Sequence, residues 1–264
     1  MDVLSQVITS MRSGPARQVQ NDGHCEQVRG AWLHLVLTGS SSVAGQSLGA
    51  GSVVLMPHGD AHSVDSGTGA VVAVFVPIDR SRCHPIVNDL PAVIVLPTPA
   101  GPLAATVDLI RMELTAGRLG SDAVVAGLLD TVFLHVLRAW YEENGKTAGW
   151  GPALNDPAIC AVLCSIHNDP GRAWTVESLG MEAGLSRAAF ARRFKELVGQ
   201  PPLTYLTWAR LGTASQLLRD SDAPLSVVAQ QVGYGSEFAF AAAFKREFGS
   251  APGRYRRQEA VAPG

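Results

Sequence analysis

A chain of 264 residues with 47% hydrophobic and 17% charged residues holds enough apolar material for two packed cores, at a formal net charge of -2. Its four cysteines, Cys25, Cys83, Cys160 and Cys164, are too few and too scattered for a disulfide scaffold. The charge is uneven: residues 1–150 carry 9 Lys and Arg against 13 Asp and Glu, and the rest carry 12 against 10, so a polyanion partner belongs to the second half.

The opening "MDVLSQVITSMRSGP" has neither the charged nor the apolar segment of a signal peptide. No uninterrupted apolar run approaches the roughly 18 residues of a membrane span, so a cytoplasmic protein with no membrane partner is expected. Residues 31–97 read as short strands, "AWLHLVLTG", "GSVVLMP", "GAVVAVFVPI" and "AVIVLP", separated by glycine-rich turns, which suggests a small β-sandwich or barrel. Helical periodicity starts after Pro102. In 121–143, Ser121 is a plausible N-cap and Val125, Leu128, Leu129, Val132 and Val136 form one stripe, which packs on the β-domain or on the same helix of a second subunit. The breaker-rich "NGKTAGWGPALNDP" separates a domain over 1–143 from one over 157–258, with 144–156 as linker.

The second half contains one pattern twice. In "TVESLGMEAGLSRAAFARRFKELVG", Thr175 caps a short helix, Gly184 breaks it, and Ser186 caps a second helix with Phe190, Phe194 and Leu197 at helical spacing. About 50 residues on, "LSVVAQQVGYGSEFAFAAAFKREFG" repeats this with Gly233, Ser236, Phe240, Phe244 and Phe248. Both read as helix-turn-helix units, the phenylalanines as core, and residues 201–223 as one connecting helix of about 5 turns. Two such heads on one spacer suit successive major grooves of double-stranded DNA, roughly 34 Å apart. Cys160 and Cys164 are expected in the core beside Ile159, Val162 and Leu163.

Gly184-Leu185-Ser186, Phe190, Phe194-Lys195, Gly199, Arg210, Ala214, Leu217-Leu218, Val232-Gly233-Tyr234, Phe244-Lys245, Phe248-Gly249 and Tyr255-Arg256 resemble the signature of the AraC/XylS family of bacterial transcription regulators. The earlier segments "LHLVLTG", "GAGSVVLMPHGDAH" and "HPIVNDLPAVIVLP" resemble a cupin-type sensor. The resemblance implies an α+β chain: a cupin-like β-sandwich or barrel with following helices, then an all-α domain with two helix-turn-helix units. It also implies transcriptional activation through RNA polymerase; a homodimer is the partner expected where the 121–143 stripe packs on a second subunit.

Carried over position by position, the family's base-reading sites fall on Arg187, Ala188, Ala191 and Arg192, and on Glu237, Phe238 and Ala242. Ser186, Lys195, Ser236, Lys245 and Arg246 complete the expected DNA contacts, with the basic "RYRR" at 254–257 as a backbone clamp. The second reading helix departs from the family pattern in being poor in polar side chains. Arginine can hold guanine bidentately whereas alanine offers only apolar contact, so the first unit is expected to dominate specificity.

His58 and His62 in "MPHGDAH" follow a strand and flank a Gly-Asp turn, where their spacing fixes no common face. The enzyme-cupin metal signature is absent, which disfavours the rival reading of a cupin-type metal enzyme with a DNA-binding tail; no catalysis is expected. His34 lies mid-strand in "AWLHLVL", and a cupin-like fold brings it beside His62. Cys25 and Cys83 each adjoin another histidine, His24 and His84. Imidazole with thiolate is a zinc-type ligand set at His34 and His62, and equally a redox-sensor set at Cys25 and Cys83. A small organic effector stands beside the oxidant as the alternative input. The sensor half also resembles the subgroup that contains a reactive-chlorine-responsive activator, through "MDVLSQVI" and the cysteine at 25.

Overall fold

The β-branched runs between residues 30 and 97 become strands whose central members are covered on both faces. A computed structural model describes residues 17–19, 23–27, 30–77, 85–144 and 150–261, and these divide into two compact units, residues 17–144 and residues 150–261.

The first unit contains β1 (Arg17–Val19), β2 (Gly23–Cys25), β3 (Gly30–Thr38), β4 (Ser40–Val43), β5 (Gln46–Gly49), β6 (Val53–Met56), β7 (His62–Asp65), β8 (Ala70–Pro77) and β9 (Ile94–Leu96). They form two antiparallel sheets, ordered β1-β8-β3-β6-β9 and β2-β7-β4-β5. Trp32, Val36, Val54 and Met56 of the first sheet cluster with Cys25, Val43, Leu48 and Val64 of the second. Side chains alternate along a strand, so Leu33, Leu35, Val53 and Leu55 point the other way, and they too are fully buried. Two helices, α1 (Gly101–Ala116) and α2 (Ser121–Asn144), pack on each other and on β3, β6 and β9 and cover that face. This double cover explains why β3 is buried from Gly30 to Val36 and shows no polar alternation.

In α2, Val125, Leu129, Val132 and Val136 are buried as expected while Leu128 is half-buried. The stripe continues through Phe133, Leu137 and Tyr141, and the Tyr141 hydroxyl donates to Ile86 O at 3.0 Å, holding the 3-10 turn Pro85–Asp89. An 18-residue window of its 24 residues has a mean hydropathy of 1.5, so by length and composition alone this helix reaches a membrane span, where the sequence led us to expect no such run. The buried face of α2 is occupied by the sheet and α1.

The second unit is helical: α3 (Gly151–Asn155), α4 (Pro157–Asn168), α5 (Val176–Glu182), α6 (Arg187–Val198), α7 (Pro202–Asp220), α8 (Leu225–Gln231), α9 (Glu237–Phe248) and α10 (Pro252–Val261). Residues 150–155 were expected to be linker. They form α3 instead, with Trp150 buried at 5.7 Å, ring to ring, from Tyr205. Ile159, Val162 and Leu163 are core, but Cys160 and Cys164 are only half-buried, because they fall on the flank of the apolar stripe of α4.

Tyr205 of α7 is fully buried, and its hydroxyl lies 2.6 Å from His167 Nε2 at the end of α4. Burial pushes the His167 imidazole down to about 4, so it is neutral in the fold. A histidine whose folded pKa is depressed contributes stability above its unfolded value of 6.5, and that contribution is lost as pH falls through about 4. We therefore expect the melting temperature of the chain to fall steadily between these two pH values. His167→Gln, which keeps a donor for Tyr205 without a titrating ring, should flatten that slope in thermal melts across the same window.

Candidate nucleic-acid interface and sensor cluster

The two helix-turn-helix units are built by the same backbone bonds. Thr175 and Ser178 form a reciprocal capping box at the start of α5, and Ser186 and Ser236 cap α6 and α9 by accepting from Ala189 N and Ala239 N. In the first turn Gly184 N donates to Met181 O at 3.0 Å and Leu185 N to Gly180 O at 2.8 Å. In the second, Gly233 N donates to Gln230 O at 3.0 Å and Tyr234 N to Ala229 O at 2.9 Å. Gly184 and Gly233 sit at φ +66° and +79°, the left-handed region where a side chain is strained. Phe190, Phe194, Phe240 and Phe244 are completely buried, as their spacing indicated.

Ser186, Arg187, Ala188, Arg192 and Lys195 are exposed on the start and outer face of α6, and Ala191 is half-buried. Ser236, Glu237, Phe238, Ala242, Lys245 and Arg246 are exposed on α9. The serines already spend their side chains on caps. The two faces differ in chemistry: Arg192 has only a loose partner, Glu196, at 3.9 Å on the same face, whereas α9 presents a Phe238 that is 89% exposed.

Two basic residues, one on the first reading helix and one within 254–257, have other partners. Arg193 Nε donates to Asp156 Oδ2 at 2.6 Å, and Asp156 is also the N-cap of α4, accepting from Ala158 N and Ile159 N. Burial alone would raise the Asp156 carboxyl, but the bonds from Ile159 N and Arg193 outweigh it and hold the carboxyl below its ordinary range. Within 254–257, Tyr255 is core and Arg256 Nη2 donates to Ala223 O at 2.6 Å, which leaves Arg254 and Arg257 exposed. Neither substitution of role was readable from charge pattern, since both depend on contacts distant in sequence.

One residue ties the halves of this unit together. Arg210, on α7, donates from Nε to Pro170 O and from Nη2 to Arg172 O, both at 2.8 Å, in the loop between α4 and α5. Its guanidinium lies against Gly233, where a Cβ would come within 2.6 Å of Nη2 and 2.7 Å of Gly171 O.

In the first unit, the structure brings Cys25, His34 and His62 together with their ligand atoms within 4.8 Å of one another, all three buried. Cys25 and His62 are directly opposed partners in the antiparallel register of β2 and β7, and His34 reaches in from β3 of the other sheet. His62 Nε2 lies 2.7 Å from His34 Nε2, and His62 Nδ1 lies 2.8 Å from Asp60 O. A carbonyl only accepts, so Nδ1 of His62 carries its proton and Nε2 presents a lone pair. Burial, then the neighbouring His62, pushes the His34 imidazole down to about 3, keeping it neutral. Trp32 stacks on His34 at 6.2 Å and meets His62 edge-on at 6.1 Å, so an aromatic ring flanks both imidazoles. His24 is exposed and not in this group, His58 Nε2 meets Leu90 O at 2.9 Å, and Cys83 and His84 lie outside the described residues.

Comparison with known proteins agrees with this division. The family model described as a helix-turn-helix domain matches residues 179–258, and one described as a cupin matches 2–142. An AraC-like transcription regulator of Streptomyces antibioticus is 40% identical over 176 residues, 65% of this chain and 58% of that protein. The chain thus spans under two thirds of that relative's length. The HTH-type transcriptional regulator AlkR of Acinetobacter baylyi is 31% identical over 85% of this chain and 87% of its own. RclR of Escherichia coli, an RCS-specific HTH-type transcriptional activator, is 34% identical over 79% and 76% respectively. The chain belongs to the AraC-type family of transcription regulators, with a cupin-type N-terminal domain.

Asp156→Ala removes both an N-cap and the partner of Arg193. We expect it to destabilise the helical unit by about 1–3 kcal/mol, measured as a lower urea midpoint at unchanged slope. Asp156→Asn, which still caps but holds Arg193 weakly, should fall between it and the parent.

Proposed function

We propose that this chain is a sequence-specific DNA-binding regulator of transcription that activates genes through RNA polymerase. The observation that carries this is the pair of equivalent helix-turn-helix units, each ending in a reading helix with an exposed, serine-capped N-terminal turn. The 19 residues of α7 span about 28 Å, on the scale of the roughly 34 Å between successive major grooves on one face of DNA. In this reading Arg187 and Arg192 contact base edges of the first half-site and Lys195 its phosphates. Ala188 and Ala191 permit close approach to the groove. On α9, Phe238 and Ala242 meet thymine methyls, while Lys245, Arg246, Arg254 and Arg257 hold backbone. Glu237 stands beside the phosphates as the one unfavourable charge on that face and sharpens the choice of site.

The β-sandwich unit is the sensor. The Cys25, His34 and His62 cluster supports an oxidant or a metal as its input, and RclR, which is named as responding to reactive chlorine species, supports an oxidant. Leu109, Met112 and Val124 expose apolar surface on α1 and α2, in keeping with a homodimer formed through these helices. The site of action is the cytoplasm, on the nucleoid.

Gel-shift titration against the chain's own upstream region, with competitor DNA, tests the reading. A complex that resists excess random DNA is expected, with affinity falling steeply as salt rises. Arg192→Ala should relax selectivity at one position, at a cost of about 1–3 kcal/mol, while Lys245→Ala should weaken binding to all sequences alike. Phe238→Ala should lose discrimination only where a thymine is replaced. Equal binding to random DNA by the parent would refute the proposal. A Cys25→Ser variant that still responds fully to hypochlorous acid would remove the oxidant as an input through Cys25.

A further inference from the structure

We propose that Cys25, His34 and His62 bind a single Zn2+ ion that staples the two sheets of the sandwich. The three side chains come from β2, β3 and β7, so the ion would join strands that share no backbone hydrogen bond across the sandwich. Around one tetrahedral zinc, sulfur at about 2.3 Å and nitrogen at about 2.0–2.1 Å lie roughly 3.3–3.6 Å from one another. The ligand atoms here already lie within 4.8 Å, and the facing Nε2 atoms at 2.7 Å need to part by only a fraction of an ångström.

Three further observations favour an ion over a hydrogen-bonded core cluster. His62 donates through Nδ1 to Asp60 O and so presents Nε2 as a lone pair, the outer-shell arrangement that orients zinc-ligating histidines. His34 is fully buried and aims Nε2 at the same point, offering a second nitrogen once its ring takes the Nδ1–H tautomer. Cys25 is fully buried and carries a thiol rather than a disulfide. On binding, the Cys25 thiol gives its proton to solvent and the thiolate joins two neutral imidazoles, with a water in the fourth position. One thiolate with two imidazoles suits zinc, whereas oxygen-loving ions find no carboxylate in the group.

Zinc binding stands without the regulatory reading. Only its consequence, that the loaded and empty sensor differ in the DNA affinity of the whole chain, rests on that reading. The test uses the reduced, chelator-stripped full-length chain and Co2+ as a spectroscopic probe, followed by Zn2+ displacement and competition with a chromophoric chelator. One Co2+ per chain is expected, with a thiolate-to-cobalt charge-transfer band that Zn2+ abolishes. Cys25→Ser should lose the band, and His62→Gln should weaken zinc by at least about tenfold, since even outer-shell losses cost about 10–100-fold. Cys160→Ser and Cys164→Ser should change neither.

A protective thermal shift with Zn2+ in the parent and not in Cys25→Ser, with both melting cooperatively, separates loss of a ligand from loss of the fold. The proposal is overturned if no Co2+ is held at equimolar concentration, if the band survives Cys25→Ser, or if the site retains copper(I) and excludes zinc. Specific DNA binding, measured in parallel on loaded and stripped protein, speaks to the regulator alone. Its failure with an intact cobalt band would sink that reading and leave the metal site standing.

Discussion

The guanidinium of Arg210 is the constraint on which the geometry of the helical unit rests. It leaves α7, satisfies two carbonyls of the loop before the first helix-turn-helix, and lies against the turn of the second. Burial lowers its pKa, yet an arginine remains charged inside a protein, so the carbonyls of Pro170 and Arg172 are stabilised by a charge-assisted bond that no neutral side chain would replace. The approach is close enough to dictate its neighbours. A Cβ at Gly171 would come within 2.3 Å of Gln231 O, and one at Gly233 would strike Arg210 itself. Both positions are glycine for want of space, and in Gly233 the positive φ adds a second reason. Two reading helices whose separation must match a groove repeat need a fixed spacer, and α7 with this clamp supplies one.

Within that frame the two units share what folding demands and differ in what reading demands. Serine caps, a left-handed glycine and two buried phenylalanines recur at corresponding places because the turn and the core need them. The exposed turns then diverge: arginines and a lysine on α6, a glutamate, a phenylalanine and alanines on α9. The Phe238 ring, 89% exposed on a capped helix end, contributes nothing to the core of its own unit. The proposed reading gives it a partner, the apolar edge of thymine.

The helical unit was largely legible in the sequence because its determinants are local. A cap, a glycine and phenylalanines four residues apart lie within one window, and each acts on its own turn of chain. The exceptions had distant partners. Arg193 and Arg256 look like free surface cations until Asp156 and the Ala223 carbonyl are brought to them, 37 and 33 residues away. The sandwich was legible only in outline. That residues 31–97 are strands followed from their composition, but the pairing of β2 with β7, which sets Cys25 opposite His62, follows from register between segments far apart in sequence. The adjacency of Cys25 to His24 in sequence therefore pointed to a neighbour on the opposite face of the strand, exposed and apart from the cluster.

The same register sets the cluster chemically apart from the rest of the described sandwich interior. Elsewhere the two sheets meet through Val, Leu, Trp and Met, which pack closely and offer no imidazole or thiolate to a metal ion. At Cys25, His34 and His62 they meet through a thiol and two neutral imidazoles, groups whose bonding changes with metal or oxidant. The hydrogen bond between the two imidazoles fills the site in the absence of a ligand, so one arrangement of side chains competes with another. A ligand shifts such a balance only by its differential affinity for the two arrangements. Breaking that hydrogen bond is the cost an ion must outweigh, and in the zinc reading one thiolate and two nitrogens around the metal outweigh it.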